Sequence, residues 1–250
     1  MGSDAAQGDV VRPNNAVETK HTPVFDANAI WTGVADSTVK IRIPGTTHFG
    51  GGVFVSSGEP HSCEIVTLSH ITDGKSEILV DTMDGRTAAA KMVKTDRANQ
   101  IAIYQLEDAA TFRSICNDVQ VSSDPPKQNE KLLGMGMEPG QYQNAPNAVP
   151  YDAKAVGIIG RSQLNVMPLP GEDTQRDLLV VSTDGAKPGY SGGGLYNADS
   201  KLSALLAGPA PPSDTPGDSG STPAVAEFGK HVQAVLDEIK AERNAGQKHE

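Results

Sequence analysis

Apolar and polar residues alternate in short runs along most of this chain, and turn residues separate the runs. STVKIRI (37–43) puts Val39, Ile41 and Ile43 on one side and Lys40 and Arg42 on the other, the period of a half-buried strand. GGVFVSS (51–57), EIVTLSHI (64–71), SEILVDTM (76–83), TAAAKMVKTD (87–96) and IAIYQLE (101–107) follow at short spacing, with Asp84-Gly85 reading as a hairpin turn. SSDPPKQNE (122–130) then reads as a connector. A second series follows: KLLGMGM (131–137), AKAVGIIGRSQ (153–163), DLLVVST (177–183), GGGLYN (192–197), KLSALLA (201–207) and PAVAEF (223–228). Polar loops are predicted at 138–152 and 208–222, and the second, rich in Pro, Gly, Ser and Asp, reads as mobile.

The ends differ. Phe228, Val232, Val235, Leu236 and Ile239 recur at spacings of three and four, which predicts a helix over 228–243 and a tail over 244–250. Residues 1–27 lack periodicity and read as a flexible arm. The layout is therefore six strands within 28–121, a connector at 122–130, six strands within 131–227 and a terminal helix. Regular short strands of this kind imply barrels or sandwiches, an all-β class.

Composition narrows the function. The chain has 250 residues, 37% of them apolar but only 4% aromatic, so Val, Ile, Leu and Ala must build the core. The net charge of -10 argues against nucleic acid or an anionic membrane surface as partner, since both need a basic face. No run of apolar residues is long enough to span a membrane. MGSDAAQGDVVRPNN has no apolar core, so no signal peptide is read, and the chain is expected to be cytosolic or a mature form whose leader was removed. Cys63 and Cys116 lack metal-ligand spacing and form no disulfide framework; they read as two buried free thiols, with a pairing between them as the alternative that their separation leaves open. His61, Cys63 and His70 lack a second ligand pair, so no metal and no cofactor are expected.

Candidate chemistry centres on PGYSGGGLYN (188–197). Ser191 sits among glycines, where a sharp bend can expose amide N–H groups; the bland alternative is a glycine-rich turn without chemistry. A serine nucleophile needs a base, most often histidine. Of the six histidines, only His70 ends an apolar strand with a turn behind it; the bland alternative there is a half-buried structural histidine.

Taken in order, these stretches resemble the chymotrypsin-fold serine peptidases, most nearly the bacterial trypsin-like peptidases of the high-temperature-requirement type. GGGVFVSS followed by IVTLSHITDG resembles the approach to the catalytic histidine, and VVSTDGAKPGYSGGGLYN the nucleophile loop. VDTMDGRTAAAKMVKTDRANQIAIYQLE, AKAVGIIGRSQ and TPAVAEFGKHVQAVLDEI resemble segments between and after them. The resemblance implies two six-stranded antiparallel barrels with a C-terminal helix, an extracytoplasmic location and a polypeptide substrate. It places the general base on His70, the nucleophile on Ser191 and the oxyanion donors on the N–H groups of Gly189 and Ser191. Substrate backbone would lie along Ala207, Gly208 and Pro209, although Pro209 has no N–H to give. The pocket base falls on Gly185 and a wall on Ala224, which suggests small or medium apolar side chains.

One position departs. The strand that opens with aspartate in the family reads Gln100-Ile101-Ala102-Ile103-Tyr104. A neutral residue there costs such enzymes roughly 10⁴ in kcat. The Gln100 carbonyl can still orient the imidazole, with Asp96 as the first alternative acid. Tyr190 stands where relatives carry a small or polar residue and is read as shielding the loop or contacting a ligand. The sequence thus points to a serine endopeptidase with an incomplete triad. The alternative is an impaired pseudopeptidase that binds proteins or peptides. No appended peptide-binding module is expected after the helix.

Overall fold

A computed structural model describes residues 23–58, 62–114, 116–138, 147–164, 168–210 and 222–246. In chain order it contains α1 (Ala27–Val34), β1 (Thr38–Arg42), β2 (Phe49–Val55), β3 (Glu64–Leu68), α2 (Ser69–Thr72), β4 (Glu77–Asp81), β5 (Thr87–Asp96), β6 (Ile101–Leu106) and α3 (Ala109–Phe112). Then come β7 (Lys131–Glu138), β8 (Asn147–Gly160), β9 (Asp177–Asp184), β10 (Gly194–Tyr196), β11 (Leu202–Pro209), β12 (Thr222–Phe228) and α4 (Gly229–Gly246). The strands close into two antiparallel barrels, β1-β2-β3-β6-β5-β4 and β10-β11-β12-β9-β8-β7. The open choice between barrel and sandwich is thereby settled.

Strand side chains alternate between faces, so one strand can feed two cores. On β6, Ala102 and Tyr104 fill the first barrel, while Ile101 and Ile103 join the layer between the barrels. On β11, Ala204 and Leu206 fill the second barrel, while Leu205 joins the same middle layer. Val232, Val235, Leu236 and Ile239 of α4 close that layer, as the helical stripe predicts. The helix is also tied to the first barrel by Arg243, which reaches the buried Glu64 carboxylate at 2.8 Å.

Three sequence readings change. Residues 27–34 form a helix, where an arm was expected to continue through 27: Asp26 accepts from the N–H groups of Asn28 and Ala29, and Ile30 and Val34 bury one face. Residues 147–152 are the start of β8 rather than loop. Cys63 and Cys116 are joined as a disulfide with Cα atoms 5.1 Å apart, not free thiols. The segment 211–221, most of the loop read as mobile, lies outside the described residues, as does residues 1–22 of the arm. No helix among the described residues is long and apolar enough to cross a membrane.

Candidate active site

Ser191 lies in the turn between β9 and β10, and its neighbours are glycines for steric reasons. Gly189 and Gly192 have φ of +95° and +82°, a region that side chains disfavour. The Ser191 carbonyl accepts the Gly51 N–H at 2.8 Å, so β2 of the first barrel holds the loop of the second. The Gly192 N–H donates to the Leu206 carbonyl at 2.8 Å, and the Leu206 N–H to the Gly193 carbonyl at 2.9 Å. A Cβ on Gly51 would stand 2.7 Å from the Gly193 nitrogen, and one on Gly193 2.0 Å from the Met135 oxygen. The glycine runs at 50–52 and 192–194 are therefore two backbones in direct contact across the barrel interface. Among the described residues, the N–H groups of Gly189 and Ser191 have no acceptor. The Ser191 hydroxyl donates to the Ala207 carbonyl at 3.1 Å. A bulge in the β11–β12 pairing between Leu206 and Gly208 leaves Ala207 outside the ladder.

His70 sits two residues past β3, within α2, where the sequence suggested that the strand continued. Asp73 ends that turn in a left-handed conformation, φ +49°. The Ser69 N–H donates to the Gln100 carbonyl at 2.8 Å, which fixes α2 against the start of β6. His70 keeps solvent exposure, and partial desolvation lowers its pKa from the ordinary histidine value; Glu172 pulls the other way, and Arg176 adds to the depression. The imidazole is thus neutral at pH 7, the state a proton acceptor needs. Among the described residues His70 makes no hydrogen bond, and its expected partner Ser191 is turned to Ala207 instead.

Gln100 is buried at φ +57° and does not hold His70. Its side-chain carbonyl accepts the Ser69 hydroxyl at 2.9 Å, and its amide donates to the Arg97 carbonyl at 2.9 Å. The expected contact to His70 is absent: the two polar ends of the Gln100 amide point to Ser69 and Arg97. Asp96 is no substitute: its carboxylate accepts from the Asn99 N–H at 3.2 Å and the Asn99 side chain at 2.7 Å, closing the turn before β6.

A cavity of about 230 Å³ opens beside these groups. His70, Gln100, Ala207 and Gly208 line it together with Leu169 and a set of charged residues that the sequence reading missed. The Arg161 guanidinium forks onto the Glu172 carboxylate at 2.6 and 3.0 Å, and Arg176 reaches Glu172 at 2.7 Å. Arg176 also pairs with Glu227, which His231 of α4 contacts through Nδ1. The signal was available: Glu227 interrupts an apolar strand, and a buried charge in such a run demands a partner. Gly185 and Ala224 do not line this cavity. Gly185 is exposed at the end of β9, and Ala224 packs inside the second barrel with Leu206 and Tyr190. Tyr190 neither shields the loop nor meets a ligand surface. Its ring fills the barrel, where a Cβ on Gly136 would collide with it at 2.1 Å, and its hydroxyl donates to Glu138 at 2.7 Å.

The model of the trypsin-like peptidase domain family matches residues 50–205, which contain His70, Gln100 and Ser191. The chain belongs to that family. Among its relatives are a probable periplasmic serine protease, do/HhoA-like, of Haemophilus influenzae and the periplasmic serine endoprotease DegP of Salmonella typhimurium. Each is 28% identical over 154 residues, which is 61% of this chain but only 29% and 28% of those proteins. The match thus spans under a third of either relative. The fold is shared with the active form of the Rv3671c protease from M. tuberculosis, with a TM-score of 0.65 at 19% identity over 94% of both chains. It is shared also with an HtrA-type protease, an AlgW variant with tripeptide, with a TM-score of 0.65 at 19% identity over 86% of this chain and 64% of that one.

Proposed function

We propose that this protein is a serine endopeptidase in which Ser191 attacks the peptide carbonyl and His70 moves the proton, without a carboxylate bonded to His70. The observation that carries the reading is the pair of unengaged N–H groups among the described residues, Ser191's own and that of Gly189 two residues before it. Both residues are half-buried, and N–H groups left open in a loop pinned by its neighbours suit an oxyanion that arrives with the substrate. The step requires the Ser191 hydroxyl to leave the Ala207 carbonyl and donate to the His70 imidazole. His70 accepts the proton as the Ser191 oxygen bonds to the carbonyl carbon, and returns it to the leaving amine. Water then releases the acyl group by the same route in reverse.

An extracytoplasmic location fits this reading. The relatives are named as periplasmic, and a disulfide such as Cys63–Cys116 persists in an oxidising compartment. A polypeptide substrate fits the family, and the charge of -10 does not favour nucleic acid. A second reading, a binding module that has lost catalysis, draws on the engagement of Ser191 with Ala207 and of Gln100 with Ser69. The two are separated by incubating an unfolded protein substrate with the native chain and with Ser191→Ala. Cleavage that disappears with the hydroxyl supports the peptidase, whereas no cleavage by either supports the binding module.

A further inference from the structure

We propose that Lys40, on β1, receives an acidic side chain of the departing half of the substrate and so sets a preference for Asp or Glu just after the scissile bond. The assignment rests on the reading of Ser191 as the nucleophile, and the experiment below separates the two.

The register of the first barrel brings Lys40 to the nucleophile loop. Lys40 stands opposite Gly51, and Arg42 opposite Phe49, in the pairing of β1 with β2. Opposed residues of an antiparallel pair point to one face, and alternate residues along a strand share it. Lys40, Arg42 and Phe49 therefore lie on the face that Gly51 presents to Gly193. The Phe49 ring packs on the loop itself, since a Cβ on Gly189 would stand 2.8 Å from it. Lys40 Nζ lies 4.8 Å from the centroid of the same ring. One aromatic side chain thus rests on the residue of an open oxyanion donor and carries a cation.

The neighbouring cations are spent, and Lys40 is not. Arg42 forks onto the Asp81 carboxylate at 2.6 and 2.7 Å, and the Thr87 hydroxyl donates to it at 2.7 Å. Asp81 also stands opposite Lys40 in the pairing of β1 with β4, but it is buried and those three donors engage both its oxygens. Lys187, in the nucleophile loop, pairs with Glu138 at 2.6 Å. Among the described residues no carboxylate pairs with Lys40. A half-buried ammonium over an aromatic face keeps its place without a counter-ion and stays open to one that arrives. The reacting carbonyl oxygen sits on the Gly189 and Ser191 N–H groups, and the substrate before it lies along Ala207 to Pro209. The half after it leaves over Gly189 and Phe49, within reach of Lys40. A lysine is a compact charge on a flexible stem, so it suits Asp and Glu alike.

The test digests a mixture of peptides of defined sequence, all amidated at the C-terminus so that no terminal carboxylate competes. Mass spectrometry reads how often Asp or Glu, against Asn or Gln, follows the cut within three residues. Lys40→Gln should lower this acid-to-amide ratio roughly three- to fivefold relative to the native chain, and Lys40→Glu should lower it further. An unchanged ratio would overturn the proposal. So would an equal slowing of every cleavage in Lys40→Gln, which would show that Lys40 only props the Phe49 ring. Should Lys40→Glu fail to fold, Lys40→Gln decides alone. Binding of N-acetyl-Ala-Asp-Ala amide and of its Asn counterpart, followed by NMR through the Phe49 ring signals, keeps the two readings apart. Should the native chain cleave nothing, tighter binding of the Asp peptide that is lost in Lys40→Gln would remove the peptidase reading and leave the carboxylate site standing. No cleavage and equal binding of the two peptides would overturn both.

Discussion

The Ser69 hydroxyl donates to the Gln100 side-chain carbonyl at 2.9 Å, one residue before His70. This contact ties position 100 to the backbone beside His70. Gln100 holds the backbone that carries His70 rather than the imidazole itself. Its own carbonyl adds a second hold by accepting the Ser69 N–H at 2.8 Å.

Gln100→Asp should therefore gain activity rather than lose it. Aspartate tolerates the left-handed backbone at this position, and one carboxylate oxygen can keep the Ser69 hydroxyl while the other faces His70. The rate of Ser191 labelling by a fluorophosphonate should rise at least about tenfold. An unchanged rate would mean that the missing acid is not what limits the site.

The pH profile has a definite sign. Desolvation lowers the His70 pKa, so the neutral base persists where a free imidazole is already charged. The acid limb of Ser191 labelling should lie below about pH 6.5, the ordinary histidine value. Because the folded value lies below the unfolded one, the stability contributed by His70 is present above the unfolded value and falls away as pH drops through it. A limb above the ordinary value would contradict the partial desolvation of the ring.

The barrel contact at the nucleophile loop should be intolerant of a single methyl group. Gly193→Ala sets a Cβ 2.0 Å from the Met135 oxygen and should cost more than about 2 kcal/mol in thermal or denaturant unfolding. Gly157→Ala, on β8, meets nothing within 4 Å and should change stability by no more than about 0.5 kcal/mol. Equal effects would show that the close approach is not needed.

The barrels and both candidate catalytic residues were legible in the chain. Strand runs such as IAIYQLE carry β propensity and turn boundaries, and twelve strands appear where the pattern places them. His70 and Ser191 were singled out because their flanking segments have a recognisable order. What stayed hidden depends on partners distant in sequence. Glu172 and Arg161 lie in no pattern that the sequence singles out, and only the fold joins them. Gln100 could be seen as a substitution, but its engagement with Ser69 and Arg97 needed the turn geometry. Tyr190 looked like a rim residue because its burial depends on the glycine at 136. Helix α1 was missed because only two of its residues face the core.

The disulfide gives an independent check on the fold's assembly. Cys63 and Cys116 are 53 residues apart, so closing that loop should stabilise the protein by about 4 kcal/mol through the unfolded chain. Melting curves with and without a reducing agent should differ clearly, and the same difference should vanish in the Cys63→Ala/Cys116→Ala protein. Identical curves for the native chain would mean that the pair does not cross-link.

The most direct test of the central claim is covalent labelling of Ser191 by a fluorophosphonate, followed by mass spectrometry of the modified peptide. The account predicts a single adduct on Ser191 in the native chain, none in Ser191→Ala, and at least about a hundredfold slower labelling in His70→Ala. No adduct in the native protein, or one formed equally fast without His70, would contradict it.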